Sequence, residues 1–193
     1  MNASAERADT IAINRRMAQF DGHSPVWLFG YGSLIYKADF AHIERRSASI
    51  HGWARRFWQG SHDHRGTPNA PGRVVTLVAE PGATCIGAAY LVSPETFAAL
   101  DVREKNGYLR LATELTLDDG RVVNGVVYIA DPANAAFLGA ASEREIALHI
   151  SRSQGPSGTN RDYLLHLAEA LRELGADDPH VFAIESEVLR LFE

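Results

Sequence analysis

The sequence has one cysteine, Cys85, so no disulfide can form within the chain, and the fold is expected not to depend on an oxidising compartment. It has no run of about 18 apolar residues, which leaves no candidate for a transmembrane helix. Long runs of lysine and arginine are missing too. The formal charge is −5, and the basic residues fall in short pairs (Arg15-Arg16, Arg45-Arg46, Arg55-Arg56) that read as solvated faces. Nucleic acid is therefore not expected as a main partner. The first 25 residues are polar and mixed in charge, without the apolar core of a signal peptide, so a cytoplasmic location is expected. What remains is an ordinary globular composition over 193 residues, read as an N-terminal appendage at 1–25 and a domain at 26–193.

The pattern of elements predicts the architecture. "VWLFG" at 26–30 reads as a buried strand, and a second strand is predicted at about 49–58. "HDHRGTPNAPG" at 62–72 is a loop. Strands at 73–79 and 84–92 around Glu80-Pro81-Gly82 read as a hairpin, and so do 108–117 and 121–130 around Asp118-Asp119-Gly120. Between them Ser93 and Pro94 signal a helix start, and Gly107 ends the segment. Helices are predicted at about 142–153, 157–174 and 179–192, with Ser157 or Thr159 as a cap. Strands joined mostly by short turns pair antiparallel. The prediction is an α+β domain built on a barrel-like, mixed, largely antiparallel sheet with peripheral helices.

Several residues can carry chemistry. The first strand ends in Gly30-Tyr31-Gly32-Ser33-Leu34. Glycines there serve either a tight turn or a concavity lined by peptide N–H groups, which attracts anions and carbonyl oxygens. Glu104 lies near a helix C-terminus, where the helix dipole and burial both raise a carboxyl pKa. The alternative is a surface glutamate paired with Arg103 or Lys105. His62, Asp63 and His64 offer too few convergent ligands for a metal site, so no metal or other cofactor is expected. In the same region Arg65 and Arg73 carry guanidinium forks that match a carboxylate. Tyr163 is either core or aims its hydroxyl at a site. Cys85 reads as a buried strand residue, and Trp53, Phe57 and Trp58 as strand core.

Taken together and in order, "FGYGSLIYK", "RRFWQGSHDHRGTPNAPGRVVTL", "LDVREKNGY" and "GPSGTNRDYLLHLAEALREL" closely resemble the ChaC-like branch of the γ-glutamylcyclotransferases, from residue 26 to about 192. Two departures are small: Thr159 stands where proline is common, and Tyr36 where tryptophan is usual. The resemblance implies a γ-glutamylcyclotransferase-like barrel and a small-molecule substrate, glutathione, split into 5-oxoproline and Cys-Gly. It implies that Glu104 moves the protons and that Tyr31, Gly32, Ser33 and Leu34 hold the glutamyl group. Arg73, Tyr108 and Tyr163 are further substrate-binding candidates, and Glu95 and the 61–72 loop candidate helpers. Two other readings remain: a cyclotransferase for another γ-glutamyl amine or amino acid, and a regulatory module that binds γ-glutamyl compounds without turning them over.

Overall fold

A computed structural model describes residues 10–17 and 21–192. In chain order the elements are helix α1 (Ile11–Arg16), strand β1 (Val26–Gly30), a 3-10 turn (Ser33–Ile35), β2 (Glu44–Ser61), β3 (Gly72–Val92), α2 (Thr96–Arg103), β4 (Tyr108–Leu117), β5 (Val122–Ala130), α3 (Glu143–Arg152), the two-residue strands β6 (Gln154–Gly155) and β7 (Gly158–Thr159), α4 (Asn160–Glu173) and α5 (Pro179–Arg190).

The first five strands close a barrel in the order β1-β3-β2-β4-β5. β1 runs parallel to β5 and antiparallel to β3, and the other barrel pairs are antiparallel, so the mixed, largely antiparallel barrel predicted above is the one formed. Burial explains the first strand. Trp27, Leu28 and Phe29 are all buried because β1 is hydrogen-bonded on both edges and covered on both faces.

The hairpin expected around Glu80-Pro81-Gly82 is corrected. Residues 72–92 form one long strand, and both of its halves pair with β2, with Trp53 opposite Ala79 and His51 opposite Thr84. The residues between, 80–83, are a bulge beside Gly52 rather than a chain reversal. A bulge bends a long strand as barrel closure requires. β2 accordingly extends well beyond the predicted 49–58. The turn after β4 is the hairpin turn expected, and β4 and β5 pair from Tyr108↔Ala130 to Thr116↔Val122.

The helices begin where their caps direct. Ser142 and Glu145 form a reciprocal capping box for α3. Thr159, one of the two predicted caps, accepts the Asp162 N–H at 3.0 Å and starts α4. Asp178 accepts the Val181 N–H at 3.1 Å and starts α5, with Pro179 at the first helical position. Ile146, Ile150, Leu164, Leu167, Val181 and Ile184 are fully buried in the same core as the strands. At α2 the expected Ser93 cap is replaced by main-chain bonding: the Ser93 carbonyl accepts from Thr96 N, and Glu95 holds the N-cap position. Residues 10–17 also lie against this body, with Thr10 and Asn14 buried.

Candidate functional site

A cavity of about 240 Å³ collects most of the residues singled out from the sequence. The stretch after β1 contributes Tyr31, Gly32, Ser33 and Leu34. The C-terminal end of α2 and the start of β4 contribute Arg103, Glu104, Asn106 and Tyr108. The loop after β2 contributes Ser61, Asp63, His64 and Arg65, and α4 contributes Tyr163. Glu104 and the 31–34 stretch, 70 residues apart in sequence, thus share one wall-to-wall space.

The two glycines around Tyr31 serve different ends. A side chain at Gly30 would bring its Cβ to 2.7 Å from the Leu34 Cβ, so this glycine lets the chain turn tightly. A Cβ at Gly32 would sit 2.9 Å from Val75 Cγ2 and 3.0 Å from the Tyr163 hydroxyl, facing the cavity. The 3-10 turn makes its first hydrogen bond from Ile35 N to Gly32 O, so the N–H groups of Gly32, Ser33 and Leu34 precede any partner within the turn. Gly30 thus fits the tight-turn reading of this stretch, and Gly32 borders a concavity.

Glu104 is the C-cap residue of α2, and its own N–H bonds to Leu100 O. Only 17% of its side chain is exposed. Burial, opposed by Arg103 and reinforced by the negative charges of Asp63 and Asp39, raises its pKa to about 7. The Arg103 Nε lies 3.4 Å from Glu104 Oε1. That guanidinium is shared: it also donates to Ser33 Oγ at 3.1 Å, to Lys37 O at 3.2 Å and to the Asp39 carboxylate. Arg103 thus ties the carboxyl to the glycine turn, yet its attraction is divided and does not restore an ordinary carboxylate pKa.

Four tyrosines line the space, Tyr128 and the trio of Tyr31, Tyr108 and Tyr163. Tyr31 donates its hydroxyl proton to Tyr128 O at 2.7 Å, and Tyr108 donates to Val75 O at 2.9 Å. Tyr163 instead accepts from Val75 N at 3.4 Å, which leaves its own proton to donate elsewhere. Burial raises the pKa of all three, so each is a neutral phenol at neutral pH.

Two sequence candidates stand outside. Arg73 does not line the cavity. Its guanidinium is buried against main chain, donating to Phe57 O at 2.9 Å and Gly139 O at 3.0 Å, and its peptide group is clasped by the Asn160 side chain. Glu95 is exposed at the far end of α2 and is not among the lining residues. Arg65 does line the cavity. It donates to Thr159 O at 3.1 Å, and its guanidinium lies 5.8 Å from the Tyr163 ring centre. Asp63 accepts from Asn106, and His64 meets Ser157 at 3.0 Å. Among the described residues, no three His, Cys, Asp or Glu side chains are grouped to hold a metal ion, and no helix is long and apolar enough to cross a membrane.

The reading of Arg55 as part of a solvated face is corrected. The residue is 3% exposed and lies directly behind the glycine turn. It donates to Tyr31 O at 2.6 Å, to Ile86 O at 2.5 Å and to Asp178 Oδ2 at 2.5 Å. The signal was available: Arg55 stands two residues before Phe57, and strand alternation puts the pair on one face. Tyr128 and Arg103 were also missed as wall residues.

A buried carboxyl with a pKa near neutrality thus shares one cavity with the Tyr31–Leu34 turn, an arrangement suited to proton transfer on a small molecule. The chain belongs to the ChaC-like protein family, whose model matches residues 26–191. It is 43% identical over 175 residues to the Arabidopsis thaliana protein named gamma-glutamylcyclotransferase 2-3, covering 84% of this chain and 88% of that one. It is 43% identical over 178 residues to glutathione-specific gamma-glutamylcyclotransferase 1 of Danio rerio, covering 87% and 91%. The crystal structure of the yeast γ-glutamyl cyclotransferase specific to glutathione superposes with a TM-score of 0.81 at 34% identity, over 86% of this chain and 96% of that one.

Proposed function

We propose that the chain is a γ-glutamylcyclotransferase that cleaves glutathione to 5-oxoproline and Cys-Gly, with Glu104 as the acid–base group. The observation that carries this reading is a buried carboxyl of pKa about 7 in one cavity with the Tyr31–Leu34 turn. Family membership and the names of the relatives support the substrate class.

The chemistry asks for little else. The α-amino nitrogen of the γ-glutamyl unit attacks its own γ-carbonyl carbon, and a five-membered lactam forms as the bond to the cysteinyl nitrogen breaks. The amine begins as an ammonium and ends as a lactam N–H, so two protons leave it. Two arrive on the departing nitrogen, which leaves as the ammonium of Cys-Gly. Glu104, ionised when substrate binds, takes the protons one at a time and hands them across. Such acid–base help is worth roughly 10²–10⁴ in rate. Holding the glutamyl chain folded adds more, because aligned intramolecular reactions reach effective molarities of about 10⁵–10⁸ M. The oxyanion that develops on the γ-carbonyl is matched to the N–H groups of Gly32–Leu34; one such donor is worth about 3–4 kcal/mol.

Three outcomes follow. Incubation with glutathione releases 5-oxoproline and Cys-Gly in equal amounts, and faster than γ-glutamyl-alanine releases 5-oxoproline. Absence of 5-oxoproline from both overturns the reading, and preference for the second substrate overturns its glutathione part. Because Glu104 accepts a proton only when ionised, kcat/KM rises with pH along an acid limb centred near its pKa of about 7; a limb at the ordinary carboxylate value of about 4.3 contradicts the assignment. Gly32→Ala fills the notch with a methyl that meets Val75 and Tyr163. It is expected to raise KM by about tenfold or more, the scale of 1–3 kcal/mol for overpacking, measured by initial rates over a range of glutathione concentrations.

A further inference from the structure

The segment before the barrel, outside the region that matches the family model, grips the turn on which Glu104 stands. At one end Thr10 donates twice to Lys105 O, from its N–H at 3.1 Å and its hydroxyl at 3.0 Å, and the hydroxyl lies 3.5 Å from Glu104 O. At the other end the Asn14 amide donates to Tyr108 O at 3.1 Å and accepts from Arg110 N at 2.8 Å. Asn14 is completely buried.

Each contact meets a specific need of the main chain. The carbonyls at the C-terminal end of a helix have no partners within it; that of Glu104 meets the Thr10 hydroxyl, and that of Lys105, just past the helix, accepts from Thr10 as well as from Gly107 N at 3.0 Å. β4 begins at Tyr108 paired with β5 on one side, but it meets β2 only near Leu117 and Thr116. Its other edge at 108–110 would be bare, and the Asn14 side chain fills it by bonding as a neighbouring strand's peptide would. Residues 104–108 are thus pinned at both ends by one short segment. Between the pins lies Gly107 with φ +88°, a point of backbone freedom.

The grip also reaches the opposite wall. Asn14 O accepts from Arg110 Nη2 at 2.7 Å, and Arg110 pairs with the buried Asp101 at 3.1 Å. Asp101 accepts the Tyr128 hydroxyl at 2.6 Å, and the Tyr128 carbonyl holds the Tyr31 hydroxyl.

We propose that residues 10–17 are a positioning brace for Glu104 and Tyr108, so that this segment is part of the catalytic apparatus rather than an appendage to it. The proposal rests on the assignment of Glu104 as the acid–base group. Thr10 and Asn14 touch no substrate; they act through the turn. Losing the brace lets residues 104–108 move and water reach the carboxyl. Of the groups facing Glu104, Arg103 on its own helix, Asp39 after the 3-10 turn, Asp63 in the loop after β2, and Tyr31 and Tyr163 around the cavity stay in place, while Tyr108 moves with the turn. Burial is the largest cause of the raised pKa of Glu104, so added water moves it down toward the ordinary carboxylate range.

Thr10→Val keeps the side-chain shape and removes the hydroxyl. It is expected to lower kcat by about 10–100-fold, the cost of misplacing a reacting group by an ångström or less. KM for glutathione stays within about twofold, the acid limb of kcat/KM moves to lower pH, and Thr10→Ser restores both. Thr10→Ala replaces Thr10→Val should the latter not fold. Unchanged kcat and acid limb overturn the brace, as does a loss of rate that vanishes when divided by the folded fraction from circular dichroism. Titration of the Glu104 carboxyl by ¹³C NMR, in wild type and Thr10→Val, judges the brace without turnover. A downward shift in the variant supports it and identical titrations overturn it. Failure of the wild type to release 5-oxoproline counts against the functional assignment alone.

Discussion

Glu104→Gln is expected to cut turnover of glutathione by about 10²–10⁴-fold while glutathione still binds, and at the same time to stabilise the protein at pH 8. The loss of rate follows because the amide occupies the same space but neither takes a proton from the substrate ammonium nor returns one to the leaving nitrogen. The gain in stability follows from burial. The folded-state pKa of Glu104 is raised from 4.5 to about 7. The protonated carboxyl therefore suits the folded state, and its advantage is fully present below the unfolded value of 4.5. That advantage is lost as pH rises through about 7, when the buried group must ionise. At 1.36 kcal/mol per pH unit between 4.5 and about 7, the wild type forgoes about 3 kcal/mol by pH 8. Glutamine never ionises and escapes that cost. For a chain of this size the melting temperature of the variant should exceed that of the wild type by roughly 6–12 °C at pH 8, with little difference at pH 4. Thermal melts at the two pH values, alongside initial rates, check both halves. Wild-type turnover in Glu104→Gln removes the residue from its role, and equal melting at pH 8 contradicts its burial as a raised carboxyl. A buried carboxyl with a raised pKa is destabilising at neutral pH, a cost that fits a group kept for moving protons.

Arg55→Met is expected to be strongly destabilising. Its guanidinium bonds the main chain at Tyr31 and Ile86 and pairs with Asp178, at the N-terminus of α5. Removing one partner of a buried ion pair costs about 3–5 kcal/mol, because the other charge is left without compensation. The same α5 end is held to β2 by the Phe57 N–H, which donates to His180 Nε2 at 3.1 Å, so the helix loses one of two anchors rather than both. The consequence for the site is specific. Tyr31 O loses its donor, and the turn that presents Gly32–Leu34 is no longer held from behind. KM for glutathione should rise by about tenfold or more together with the stability loss, whereas Asp178→Asn, which keeps a capping oxygen for α5, should cost less on both counts. Urea unfolding and steady-state kinetics on the two variants measure these effects; a variant with wild-type stability and KM contradicts the support assigned to Arg55.

The contrast between Arg55 and Glu104 shows what was legible in the sequence. Local chemistry was mostly readable where a residue acts through its chain neighbours, the Ser93 cap being the exception. The start of α3 near 142, Thr159 as one of two candidate caps, the Asp118-Asp119-Gly120 turn and the face of α4 that buries Leu164, Leu167 and Leu171 follow from local pattern. Residues acting through distant partners were less readable. Glu80-Pro81-Gly82 has the composition of a hairpin turn, but Gly82 at φ +85° serves a bulge equally well, and only closure of the barrel against β2 decides between them. Arg55 beside Arg56 looks like a charged surface until Asp178, 123 residues away, comes to face it. Arg73 carried a fork suited to a carboxylate, yet barrel packing turned it onto main-chain carbonyls instead. Thr10 and Asn14 gave no signal, since hydrogen bonds from small polar side chains to main chain leave no pattern in sequence. The meeting of Glu104 with residues 31–34 lies between these extremes: each segment had its own physical logic, and the motifs in register tied them together.

The account stands on the substrate's own amine being the nucleophile, with a protein carboxyl moving its protons. Cleavage of glutathione in water enriched in ¹⁸O, followed by mass spectrometry of the products, tests this most directly. The expected products are 5-oxoproline without label and Cys-Gly, because ring closure takes no oxygen from solvent. Free glutamate carrying ¹⁸O in its γ-carboxylate would mean that water is the nucleophile, and would contradict the mechanism assigned to this cavity.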